Sequence, residues 1–217
     1  SSDLLNGSFG FGRTFRLGSN KMDVLATFGI DTDNESLDNA YVRTFEASGT
    51  EMSRFDYDSF TQTLKMAGLA SVGYSFRKAD RVGFSAFYAR NAVDSYMARQ
   101  GHDEEGIRLK GSNQNSHVYE LQNYQLAGHH VFGMWDTDWS GSYSKTSSEE
   151  PDRRQVMFRQ MSDGTWDLFK LNAQETMRYF GKLDEDEWVG VVQAEYRFSD
   201  ENKLRFGAAL RDKTRRS

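Results

Sequence analysis

Cysteine is absent from the 217 residues and proline occurs once. Without cysteine there is no disulfide framework and no thiolate metal site. At the usual proline frequency a chain this long would carry about eleven. Long paired strands exclude proline, because it cannot donate to a ladder. No apolar run approaches the roughly 18 residues of a membrane-crossing helix, and no charged-then-apolar leader marks a signal peptide. An excess of basic residues is missing too. The net charge is −5, which argues against a nucleic-acid partner. The low mean hydropathy reads at first as water-soluble, but such averages are blind to a β-barrel, where only alternate residues face lipid.

What the chain has in quantity is aromatic residues and glycine: 16 Phe, 10 Tyr, 4 Trp and 19 Gly. That mixture favours strands. Side chains alternate faces along a strand, and four hairpins show the alternation. In the last, Trp188, Gly190, Val192, Ala194, Tyr196 and Phe198 share one face, continued after a polar turn by Leu204, Phe206, Ala208 and Leu210. In the first, Phe9, Phe11, Phe15 and Leu17, with Arg13 interrupting, are answered after Gly18-Ser19-Asn20 by Met22, Val24, Ala26, Phe28 and Ile30. A turn at Lys78–Arg81 joins Met66, Gly68, Ala70, Val72, Tyr74 and Phe76 to Val82, Phe84, Ala86 and Tyr88. A turn near Gly133–Asp136 joins Tyr124, Leu126, Gly128 and Phe132 to Trp139, Gly141 and Tyr143, with His130 as a misfit.

Between hairpins the alternation dissolves, from Thr32 to about Ser59, Arg99 to His117 and Lys145 to Asp186. The expectation is therefore an all-β, antiparallel transmembrane β-barrel segment: about eight meandering strands over residues 1–217, with short periplasmic turns and long extracellular loops. Phe76, Phe132, Tyr196, Phe198 and Phe206 would form an inner aromatic girdle, and Tyr88, Tyr124, Tyr143 and Trp188 an outer one. The small residues of the opposite face, such as Ser71, Gly73, Ser75, Gly83, Ser85, Ser140 and Ser142, would pack a narrow barrel poorly and suit a wide lumen. Gln193, Glu195, Arg197 and Arg205 offer a polar interior network. Two other readings stay open, a small self-contained eight-stranded barrel in adhesion or structure and a soluble β-domain that binds carbohydrate or acts as an enzyme.

Three segments carry a more specific likeness. Tyr124-Gln125-Leu126-Ala127-Gly128-His129-His130-Val131-Phe132, then Trp139–Ser144 with Glu150-Pro151-Asp152-Arg153-Arg154, and finally Phe206–Arg215 resemble the barrel of TonB-dependent outer-membrane receptors, particularly the Bacteroidetes-type ones. The resemblance implies an outer-membrane active transporter, not an enzyme and without cofactor, that imports a scarce nutrient such as a siderophore, cobalamin, peptide or glycan. Its implied partners are membrane lipid, a TonB complex, the protein's own plug domain and a surface lipoprotein. Such barrels have about 22 strands, so the chain is expected to be an internal segment, lacking plug and remaining strands. None of the matching segments is a catalytic motif.

Candidate chemistry is sparse. His129 and His130 are adjacent and point to opposite faces of a strand, so they cannot share a metal. His102-Asp103-Glu104-Glu105 offers carboxylates for calcium but lacks a calcium loop's ligand spacing. Gly10-Phe11-Gly12 lacks the Gly-Lys-Ser/Thr ending of a phosphate loop. Asn6 and Asn34 stand in short glycosylation-type triplets, and Asp184–Glu187 read as a solvated charge run. The stretch from Lys145 to Asp186 mixes Arg153, Arg154, Phe158, Arg159, Trp166, Phe169, Tyr179 and Phe180. Such residues anchor external ligands, or else Val156–Arg159 and Phe169–Leu171 are upper ends of strands. No catalytic or metal residue is assigned, and the ligand-binding residues are unknown.

Overall fold

The computed structural model describes residues 5–76, 79–170, 176–199 and 201–217. Every regular element among them is a strand: β1 (Asn6–Leu17), β2 (Asn20–Phe45), β3 (Glu51–Phe76), β4 (Asp80–His102), β5 (Arg108–Phe132), β6 (Trp135–Gln160), β7 (Trp166–Leu168), β8 (Met177–Arg197) and β9 (Lys203–Arg216). They form one antiparallel sheet in the order β1-β2-β3-β4-β5-β6-β8-β9, with three-residue β7 attached to β6. Each long strand pairs with its sequence neighbour, which keeps loop-closure costs low. Among the described residues no strand pairing joins β1 to β9, so no backbone ladder closes the sheet.

The antiparallel meander matches the expectation from sequence. The long connections do not. Thr32 to Ser59 is the continuation of β2 and β3, paired through Arg43↔Arg54 and beyond. Arg99 to His117 belongs to β4 and β5, and most of Lys145 to Asp186 belongs to β6, β7 and β8. Val156–Arg159 is the upper end of β6; Phe169 lies just past β7, and Leu171 is outside the described residues. These extensions carry polar residues on both faces. They therefore lack the apolar alternation that marks a half-buried strand, while their backbone ladders remain intact. The one proline, Pro151, sits in β6 where the register slips between Glu150 and Arg153, a bulge that tolerates its missing N–H.

Tight turns close both ends of the sheet. At one end, Gly18 and Gly133 adopt positive φ (65° and 62°) in two-residue turns, the geometry that matches strand twist. At the other end, three turns share one construction. In Glu46–Thr50, Asp103–Ile107 and Met161–Thr165 the first residue donates its N–H to the carbonyl of the fifth, at 2.9, 3.1 and 2.7 Å. The fourth is glycine with φ of 87°, 74° and 83°, and it donates back to the first. Sequence periodicity gives no sign of these hairpins, because each is one glycine in polar surroundings.

Buried apolar residues are few. Among the described residues only Leu109, Met157 and Phe169 form a core, with Phe55 and Ile107 against it. Phe169 is fixed there by donating its N–H to the Met157 carbonyl at 2.8 Å. The cluster lies in the extensions. The alternating halves of the strands bury no comparable core.

Candidate functional surface: an apolar band and a concave polar face

Strand pairing puts opposed residues on the same face, so the register tests whether the apolar faces of separate hairpins are continuous. They are. Ala26 pairs with Ala70, Ala70 with Ala86, Ala86 with Tyr124, Tyr124 with Tyr143, and Tyr143 with Trp188. Two residues along, Val24, Val72, Phe84, Leu126, Gly141, Gly190 and Leu210 form the next row. The band crosses all eight long strands and is open to its surroundings: Phe9 is 66% exposed, Trp188 60% and Leu210 76%.

Aromatic rings line both margins of the band. Toward the two-residue turns, Trp135 lies 4.8 Å from Tyr196 and 5.8 Å from Phe206, and Phe76 lies 5.9 Å from His130. At the other margin Tyr143 stands 4.6 Å from Trp188 and 6.5 Å from Tyr124. Trp135 and Tyr143 are roughly 26 Å apart along β6 at the strand rise. Just beyond the band charge begins, where Arg90 meets Glu120 at 2.8 Å. The band also runs obliquely. The hydrogen-bonded row through Ile30 and Met66 continues as Arg90, Glu120, Ser147, Asp184 and Arg216. A flat apolar layer can match this band only if the strands tilt across it.

The opposite face is polar and concave. One cavity of about 760 Å³ is lined by Gly12 of β1, Ser71 of β3, Ser85 of β4, Gln125 of β5, Ser140 of β6 and Gln193 of β8, among others. On a flat sheet β1 and β8 would be roughly 29 Å apart at the usual strand spacing. Strands that far apart share a cavity only if the sheet curls toward this face. The expected polar network is present in part: Glu195, 6% exposed, takes Arg197 and Arg205 at 2.9 Å each and Lys203 at 3.2 Å. Farther along, Arg211 reaches Glu187 at 2.6 Å and Lys213 reaches Glu185 at 2.7 Å. The charge run Asp184–Glu187 is therefore engaged: β9 reaches Glu185 and Glu187, Asp186 accepts from the Tyr143 hydroxyl of β6 at 2.6 Å, and Asp184 faces Lys182 of its own strand at 3.6 Å.

The other candidates resolve into structural roles. Asp103 Oδ1 accepts the N–H groups of Glu105 and Ile107 at 3.0 and 2.9 Å, and His102 lies 3.5 Å from Glu51, so the acidic stretch builds a hairpin turn. Gly10-Phe11-Gly12 is ordinary β1, paired residue by residue with β2; Asn6 and Asn34 also lie within paired strands. In the stretch from Lys145 to Asp186, read either as ligand anchors or as strand ends, the aromatics stand beside cations of their own surface: Lys110 lies 4.1 Å from Trp166, Arg178 4.8 Å from Phe180 and Arg153 5.8 Å from Tyr179. Arg99 packs 5.4 Å from Phe55, and burial lowers its pKa from the ordinary arginine value. His129 and His130 do point to opposite faces, His129 toward Asp138 and Asp136 and His130 toward Asp80 and Phe76. Sequence reading missed the two aspartates because it treated Asp136 as turn. The two-residue spacing between Phe132 and Trp135 was the signal that sets 129 against 138. No protein-family model matches the chain, and no curated protein is significantly similar to it in sequence.

Proposed function

We propose that this chain is part of the wall of an outer-membrane β-barrel belonging to a TonB-dependent active transporter, with the band toward lipid and the concave face toward the lumen. The observation that carries the membrane placement is the continuous apolar band that no other part of the described chain covers. A water-soluble protein rarely leaves so large an apolar surface open. The aromatic margins, the oblique course of the band and the polar curl behind it have the form of a spanning barrel wall. Transport rests on the resemblance of residues 124–132, 139–144, 150–154 and 206–215 to TonB-dependent receptors. Import of a scarce nutrient, energised through TonB and without covalent catalysis, follows from that likeness.

Tryptophan fluorescence tests the placement directly, because the four tryptophans divide between the two regions. Single-tryptophan variants keeping Trp139 or Trp188 in the band are expected to be quenched by bromine-labelled acyl chains, and one keeping Trp166 is not. A chain that stays monomeric and melts cooperatively in detergent-free buffer, with no quenching at any position, would overturn the reading. TonB-dependence is tested apart from this, by nutrient uptake through the parent protein with and without a working TonB complex.

The cavity shared by β1 and β8 favours a second reading, a small barrel closed by β1 and β9. Cysteines introduced at Phe11 and Ala208 separate the two. Rapid disulfide formation within the isolated chain supports the small barrel, and its absence supports a segment of a larger wall.

A further inference from the structure

The concave face holds a cluster that the barrel reading leaves unused. Register sets His129 of β5 opposite Asp138 of β6, and Val131 opposite Asp136. Because residues two apart share a face, one imidazole is served by both carboxylates. His129 Nδ1 lies 2.9 Å from Asp138 Oδ1 and 3.4 Å from Asp136 Oδ1. One donor atom from each of the three residues lies within 4.8 Å of the other two.

These spacings suit an ion as well as a hydrogen bond. With metal–ligand bonds of about 2.1 Å, neighbouring donors stand roughly 3.0 Å apart in an octahedral shell and roughly 3.4 Å apart in a tetrahedral one. Both imidazole-to-carboxylate gaps are already in that range. The gap between the carboxylates closes by rotation of Asp138, whose side chain is 62% exposed. Support behind the ligands is present too: Arg197 donates to Asp136 Oδ2 at 3.5 Å and leaves Oδ1 turned to the imidazole. Hydrogen bonds of this kind orient metal-ligating carboxylates. Arg81, paired across from His129, sends its guanidinium toward Gly73 instead. His129 and Asp138 both line the 760 Å³ cavity, so an ion there is reachable from the concave side.

We propose that His129, Asp136 and Asp138 form a binding site for a divalent first-row transition ion of the zinc or cobalt type. The imidazole nitrogen selects such ions over calcium and magnesium, which prefer oxygen alone. Three protein ligands leave at least one position for water or a donor atom of a bound molecule. The site depends on the β5–β6 register and not on what covers the apolar band, so it stands or falls separately from the membrane reading.

Cobalt(II) titration of the whole chain folded in detergent tests it, followed by visible d–d absorption, with zinc(II) calorimetry in parallel. The expected result is one saturable equivalent in the micromolar range, weakened at least tenfold by His129→Ala and by Asp138→Asn. His130→Ala on the other face and His117→Ala in the extension should leave affinity unchanged. Asp138→Asn changes an exposed side chain and carries the test if His129→Ala fails to fold. No saturable binding, or binding lost with His130 or His117 and kept without His129 and Asp138, would overturn the proposal.

Discussion

The two halves of β6 are held by the same kind of backbone bonds and written in different sequence. From Trp135 to Ser144 apolar and polar residues alternate, whereas from Lys145 to Gln155 charged, hydroxyl and amide residues occupy both faces, before Val156-Met157-Phe158 at the far end. Pairing to β5 and β8 nonetheless runs through both halves, interrupted only by local slips at Gln114/Val118 and Glu150/Arg153. Pairing and alternation are therefore separate constraints. The ladder is a property of the backbone, while alternation records what each face meets.

The sharpest way to break this comparison is to put one charge into each setting. Leu126→Arg, in the middle of the band, is expected to lower unfolding free energy by about 2–4 kcal/mol in lipid vesicles, as for a cation at bilayer mid-depth. Gln125→Arg, the next residue on the opposite face, should change it by less than about 0.5 kcal/mol. Phe60→Arg also replaces an exposed residue, 47% accessible, but in the extension, and should cost less than about 1 kcal/mol. Urea titration in vesicles measures all three. Equal losses at Leu126 and Phe60 would mean that the halves do not face different media.

Gly111 in the extension and Gly141 in the band differ in the reverse sense, because the chain packs tightly around the first and leaves the second open. A Cβ at Gly111 would collide with the Val156 carbonyl oxygen and Met157 Sδ beside the Leu109 core, whereas one at Gly141 in the band meets nothing within 4 Å. Gly111→Ala is expected to destabilise by about 1–3 kcal/mol. Gly141→Ala should be neutral or stabilise by up to about 1 kcal/mol, since glycine in a strand carries an entropic cost. Somewhat smaller is Gly164→Ala at φ 83° in the β6–β7 turn, where a left-handed backbone costs a side chain about 1–2 kcal/mol. Thermal unfolding in detergent ranks them.

Those glycines also show how much was legible beforehand. Alternation at Trp188–Phe198 or Met66–Phe76 gave strand, face and neighbour correctly, because an apolar face repeats with the pleat. The extensions were invisible, since a strand wet on both faces has no periodic signature and looks like loop. Gly49, Gly106 and Gly164, each fourth in a five-residue turn, were the available marks of three hairpins. The His129–Asp136–Asp138 cluster was hidden differently. It follows from register across a turn, and a one-residue error there would have moved both aspartates to the other face.

The smallest expected effect concerns charge at the bulge of β6. Asp152 accepts from Arg178 Nε at 2.9 Å and also pairs with Arg154, and these guanidinium groups hold its carboxyl below the usual aspartate value. A carboxylate depressed in the folded state contributes its full stability above its unfolded pKa, near 3.9, and loses it as pH falls through the lower folded value. The wild-type urea midpoint should therefore drop more between pH 6 and pH 3 than that of Asp152→Asn. Both arginines are exposed, so the difference should shrink in 1 M salt, where screening limits charge–charge interactions to about 3 Å. A difference that survived high salt would mean that solvent does not reach the bulge. The extension would then be a packed region in its own right, and the contrast between the two halves of β6 would be one of covering layers rather than of lipid against water.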